Sequence, residues 1–170
     1  MYGGIVSSIP NGDYGTFATI SRMRTLARSA SVHPLVRQTA VRIVAGAAGT
    51  DAMLQARLIR DWVEQRVIFM PDPNGAELLH APDALLAHIL TDGIGHVDCD
   101  DVAMLAAALG LAVGLRARYV VVGFSPSGPF RHIWTDLGNP RKPQWLPVDP
   151  TRPMQPLNGL TIQRTATVEV

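Results

Sequence analysis

Apolar residues recur at helical spacing through the first two thirds of the chain and fall into strand-like runs in the last third. The pattern predicts a basic amphipathic helix over 19–30. A second helix is predicted over 34–45, opened by His33-Pro34, where proline suits a first turn, and closed by Gly46 to Gly49. Asp51 is a cap for a third helix over 52–67, whose apolar positions Met53, Leu54, Leu58, Trp62 and Val63 keep the helical period. Pro71-Asp72-Pro73-Asn74-Gly75 reads as a loop, and Pro82 opens a short helix over 83–90. A long apolar helix over 99–112 follows, stopped at Gly114.

The texture changes at Leu115. Residues 115–124 carry the run Tyr119-Val120-Val121-Val122 and read as a strand covered on both faces. Further strands are expected over 131–137, 144–149 and 160–170, with a turn at 125–129 and a loop at 138–143. Helices first and an antiparallel sheet afterwards make an α+β pattern. The Gly- and Ser-rich start, with Pro10 and Asn11-Gly12, reads as a flexible arm over 1–18, and 19–170 as a single domain.

Composition narrows the class. The 170 residues are 47% hydrophobic, which suffices for one core and argues against disorder. A single cysteine rules out an intramolecular disulfide and a multi-cysteine metal cage. The start lacks a charged segment followed by an apolar block, and no uncharged run reaches the roughly 20 residues of a membrane helix. The expectation is a cytoplasmic or virion-associated protein with no membrane contact. Charge is unevenly spread: all five charged residues between Tyr14 and Thr50 are arginines, and all seven between Val67 and Leu115 are acidic. The two segments either face each other or are solvated, or the first forms a basic partner surface; no nucleic-acid partner is expected.

The one cysteine stands at the most telling position. In Gly93-Ile94-Gly95-His96-Val97-Asp98-Cys99-Asp100-Asp101, Asp98 suits an N-cap accepting from Asp100 or Asp101, and Cys99 falls in the first helical turn. The helix end favours a thiolate, whereas Asp100 and Asp101 oppose it, so a nearby imidazolium would be needed to tip Cys99 towards reactivity below pH 8. Below the cysteine, Val102, Ala103, Ala106 and Leu109 form a face that can pack on a sheet. His132, Trp134 and Asp136 share one face of the second strand. With the loop 138–143 closed in simple register, Leu137 meets Gln144 and His132 comes directly opposite Asp149. Asp136 is the competing carboxylate, about 13 Å from His132 along its own strand. Cysteine, histidine and carboxylate in that order make a nucleophile, a base and an orienting group.

Three segments together carry a resemblance: Asp98-Cys99-Asp100-Asp101-Val102-Ala103 before the Ala/Leu-rich helix, Phe130-Arg131-His132-Ile133-Trp134, and Trp145-Leu146-Pro147-Val148-Asp149-Pro150-Thr151. With Gly114-Leu115-Arg116-Ala117-Arg118-Tyr119-Val120 and the lead-in from Arg60-Asp61-Trp62-Val63 to Pro82, the stretch from Asp51 to Thr151 resembles the transglutaminase-like superfamily. The resemblance implies a papain-like arrangement, with Cys99 as nucleophile, His132 as general base and acid, and Asp149 as orienting group. It implies acyl transfer on amide bonds of a protein or peptide through a thioester, as a peptidase, an amidase or a crosslinking transglutaminase. The compact Asp-Cys-Asp-Asp form is similar to versions encoded in phages and prophages. A structural or assembly module of a phage particle, with phage proteins as partners and little turnover, is the alternative.

No cofactor is implied, and no metal: His96, Asp98, Cys99, Asp100 and Asp101 diverge around a helix start and lack an i, i+4 ligand pair. The Cys99 N–H is a natural first oxyanion donor; Trp62, Asn74 and His96 are candidates for the second. Trp134 and Trp145 read as core or cleft walls, and His33, His80 and His88 as structural or exposed.

Overall fold

A computed structural model describes residues 12–47, 51–71, 78–150 and 161–170, with the backbone alone of 4–6. In chain order the elements are β1 (Gly4–Val6), α1 (Gly12–Ser31), α2 (Pro34–Ile43), α3 (Ala52–Glu64), β2 (Val67–Phe69), β3 (Leu78–His80), α4 (Pro82–Asp92), β4 (Gly95–Val97), α5 (Cys99–Ala112), β5 (Arg116–Gly123), β6 (His132–Gly138), β7 (Trp145–Val148) and β8 (Arg164–Glu169). The α+β reading holds: helices precede a four-stranded antiparallel sheet ordered β7-β6-β5-β8.

The centre of the molecule is α5. Every residue from Asp101 to Gly110 is buried, as a helix apolar on all sides requires. The other four helices surround it, and β5 and β6 cross its remaining face. Its alanines (Ala103, Ala106, Ala107 and Ala108) keep those neighbours close, and the absence of a side chain at Gly110 makes room for Leu137. Thr135 Oγ1 donates to the Ala103 carbonyl at 2.6 Å, tying β6 to the same helix. Thr135 and Leu137 therefore point at α5, and alternation turns Trp134 and Asp136 to the other side of β6. The valine run of β5 is buried, and both edges of β5 are paired, by β6 and β8.

Several boundaries differ from the sequence reading. Helix α1 begins at Gly12, seven residues before the predicted start. Asp13 in its first turn pairs with Arg164 of β8 at 2.6 Å, and the Phe17 ring meets Phe130 edge-on at 5.9 Å. Both contacts are remote in sequence, so local pattern does not show them. Residues 1–3 and 7–11 of the expected arm lie outside the described residues, and Gly4–Val6 pair with β3. Helix α3 stops at Glu64, because Val67 enters a parallel pair of β2 with β4. Strands β1 to β4 have three residues each, too few for a two-residue period to register. Arg22, Arg28, Arg37 and Arg42 of the basic segment are exposed.

The hairpin register also needs correction. Gly138 meets Trp145 and Thr135 meets Val148, two residues out of step with the simple closure that put Leu137 opposite Gln144. The loop is cinched instead by Asn139, whose N–H donates to the Gln144 carbonyl and whose side-chain oxygen accepts from the Arg141 N–H. A shift of two preserves which face each side chain takes. It moves Asp149 from directly opposite His132 to a diagonal place just beyond the end of β7.

Candidate active site

The first turn of α5 forms as its sequence dictates. Asp98 Oδ1 accepts from the N–H groups of Asp100 and Asp101 at 3.2 and 3.3 Å, which leaves Cys99 as the first helical residue. Cys99 is partly exposed, and the Ile133 N–H of β6 is close enough to lower the pKa of its thiol, which places the sulfur near the start of the histidine strand. The next residue back along that strand is His132, which is buried. Its Nε2 lies 2.8 Å from Asp149 Oδ2. The diagonal placement is within reach of these two side chains, so the pair forms although the strands are not in the predicted register.

Asp136 is otherwise engaged. Its Oδ2 accepts from Arg118 Nε and Nη2 at 3.0 and 2.8 Å, and its Oδ1 from Trp134 Nε1 at 2.9 Å. Trp134 in turn lies 5.7 Å from the His132 ring, centroid to centroid. The guanidinium groups of Arg116 and Arg118 lie over the Trp145 ring, at 4.7 and 4.2 Å. The two tryptophans, expected as core or cleft walls, belong to one polar and aromatic shelf with Arg116, Arg118 and Asp136.

The electrostatics of the cysteine differ from the sequence expectation. Burial pushes the Cys99 thiol well above its ordinary range, and the Asp100 and Asp98 carboxylates push it further; only the Ile133 N–H pulls it down. The thiol donates to Asp100 Oδ1 at 3.5 Å, a bond that favours the protonated form. The helix end does not outweigh desolvation and two adjacent negative charges, so Cys99 rests as a neutral thiol. Alkylation of Cys99 by iodoacetamide is accordingly expected to stay slow through pH 8 and to rise only above the ordinary thiol range. Asp100→Asn, which removes the nearest charge, should move that rise to lower pH. A profile already at its plateau at pH 7 would contradict this electrostatic picture.

Of the candidate second oxyanion donors, Trp62 lies on α3 under the Arg66 guanidinium at 4.7 Å, and His96 is exposed on β4 opposite Ile68. Asn74 lies outside the described residues. Among the described residues, no three His, Cys, Asp or Glu side chains converge as a metal site, and no helix is long and apolar enough to cross a membrane.

Two features escaped sequence reading. One is the Ile133 N–H, a backbone group with no side-chain signature. The other is His80, expected to be structural or exposed. Its main-chain N–H donates to Asp101 Oδ1 at 2.8 Å, and its Nδ1 lies 2.5 Å from Asp101 Oδ2. Asp101 is buried in the cysteine's own helical turn. The signal for this pair was the fourth residue of Asp-Cys-Asp-Asp, an acid on a helix that is otherwise apolar.

Residues 37–150 match the family described as the Transglutaminase-like superfamily, which is most of the chain. The protein belongs to that superfamily. No curated protein sequence matches. Among solved structures, a candidate protease from Parabacteroides distasonis superposes with a TM-score of 0.58 at 12% identity, covering 98% of this chain and 38% of that one. A candidate cysteine protease from Cytophaga hutchinsonii gives a TM-score of 0.49 at 20% identity, covering 79% of this chain and 45% of that one. This transglutaminase-like chain therefore spans less than half the length of either solved relative. The Parabacteroides likeness is one of fold, and it extends over nearly the whole chain.

Proposed function

We propose that the protein is a cysteine-dependent enzyme that cleaves amide bonds of a protein or peptide through a thioester on Cys99. The observation that carries this reading is the His132–Asp149 hydrogen bond of 2.8 Å on β6, the strand packed against the helix that Cys99 opens. A partly buried carboxylate accepting from Nε2 fixes the tautomer of His132, so that Nδ1 is the nitrogen that serves the cysteine.

In the proposed reaction, Nδ1 takes the Cys99 thiol proton as sulfur attacks the substrate carbonyl. The tetrahedral oxyanion meets the Cys99 N–H at the positive end of α5. The carbon–nitrogen bond then breaks, and His132 returns the proton to the departing amine. A water molecule, deprotonated by His132, attacks the thioester; the carboxylic acid leaves, and sulfur recovers its proton. Asp149 stabilises the imidazolium formed in each half. The neutral resting thiol fits general-base activation rather than a standing ion pair. Hydrolysis is preferred to transfer because water is always present as acceptor, and the Parabacteroides relative is itself described as a candidate protease.

The test is to incubate the full chain with a peptide mixture and follow products by mass spectrometry, with and without an added primary amine. New termini in the absence of amine are expected. Amine-linked products alone would assign the protein to transamidation. No product of either kind would favour an assembly module with little turnover.

A further inference from the structure

We propose that His80 is a positioning residue for the nucleophile, acting through Asp101 to hold the first turn of α5 at the angle that presents Cys99 to β6. The inference rests on the reading of Cys99 as nucleophile, and adds a residue that lies outside the three motifs.

Asp101 is 1% exposed, and a carboxylate so placed must be met by donors. His80 supplies two, one from its backbone and one from its ring, to the two different oxygens. This two-point grip fixes the carboxylate plane as well as its position, which a single bond would not do. The main-chain N–H of Asp101 is meanwhile bound to the Asp98 cap. The turn that begins with Cys99 is thus held at its start by Asp98 and from the side by β3. Strand β3 is itself held, since Gly4, Ile5 and Val6 pair with His80, Leu79 and Leu78. The backbone of β3 therefore has β1 on one side, and its His80 N–H is committed to the cysteine helix.

Rotation of a helix turn swings its first side chain through an arc. The approach of the sulfur to β6 depends on that angle, and so does attack geometry, where about 1 Å of misplacement costs about a hundredfold. Loosening the grip also exposes further a thiol that is now only partly open to water. Release of the clamp should therefore make Cys99 more reactive towards a small free electrophile and less competent on an amide.

The test compares His80→Asn with His80→Gln in the full chain. Asparagine places an amide N–H where Nδ1 stands; glutamine carries the same group one methylene further out and is closer to histidine in size. If His80 only fills space, glutamine should be the better substitute. The clamp makes the opposite ranking. His80→Asn is expected to stay within about twofold of the parent in its iodoacetamide rate at pH 7.5. His80→Gln is expected to alkylate about tenfold faster, with the profile displaced to lower pH, and to lose kcat with little change in KM. Far-UV circular dichroism confirms that both are folded; should His80→Gln unfold, Asp101→Asn, which keeps an oxygen for the His80 N–H, takes its place in the same comparison. Equal alkylation rates for the two histidine variants, or glutamine closer to the parent, would overturn the proposal. The alkylation arm needs no substrate: absence of turnover in the parent would count against the proposed amide cleavage, and leave this ranking to stand or fall separately.

Discussion

Asp149→Asn is expected to lower turnover about 10³–10⁴-fold while the chain stays folded. An asparagine can still meet His132, but through an uncharged group that lets the ring take either tautomer and does not stabilise the imidazolium. Asp136→Asn is expected to behave in the opposite sense. The Asp136 carboxylate is 7% exposed and joins Arg118 to Trp134, so loss of its charge weakens a bidentate ion pair that is largely shielded from water. About 1–3 kcal/mol of stability should be lost, or roughly 2–4 °C in Tm for each kcal/mol in a chain of this size. Turnover should fall only as far as Trp134 shifts against the His132 ring. Both variants measured for kcat and Tm decide the assignment. A larger loss of kcat at Asp136 than at Asp149 would mean that the wrong carboxylate has been placed beside the histidine.

Cys99→Ala is expected to abolish turnover and leave the fold intact. The thiol is desolvated and flanked by Asp100 and Asp98, so a small apolar side chain costs the structure little. The substitution also has a signature in stability against pH. Because the folded thiol ionises above its ordinary range, between that range and the folded value the unfolded chain releases a proton that the folded chain keeps. Stability from this group is therefore complete below about pH 8.5 and declines as pH rises beyond it. The parent should lose Tm relative to Cys99→Ala only in alkaline buffer. Parallel melting curves across that range would show that Cys99 is not held protonated by the fold.

Much of this arrangement is legible in the residues themselves. The central helix starts at Cys99 and ends at Ala112 as its cap and apolar run require, because both determinants are local. The valine run of β5 reports burial on both faces for the same reason. What sequence could not supply is the result of contacts made at a distance. The Asp13–Arg164 pair accompanies α1 back to Gly12, and the parallel pairing of β2 with β4 draws Val67 out of a helical pattern. The hairpin is the most instructive case. Its register lies two residues from simple closure because Asn139 closes the loop, yet the His132–Asp149 pair still forms. An even displacement keeps both side chains on one face, and Asp149, placed just after β7, can reach back along the diagonal. The protonation of Cys99 was misjudged for another reason. A helix start is visible in sequence, whereas the burial that overrides it belongs to the assembled core.

The central claim is that Cys99 becomes acylated with His132 as its base. Intact-mass and peptide-mapping spectrometry after exposure to a p-nitrophenyl ester at pH 8 tests it most directly, in the parent, Cys99→Ala and His132→Ala. The account predicts a burst of p-nitrophenol with an acyl group mapped to Cys99 that then clears, no adduct in Cys99→Ala, and acylation slowed by orders of magnitude in His132→Ala. An adduct on another residue, or Cys99 acylated equally fast without His132, would contradict it.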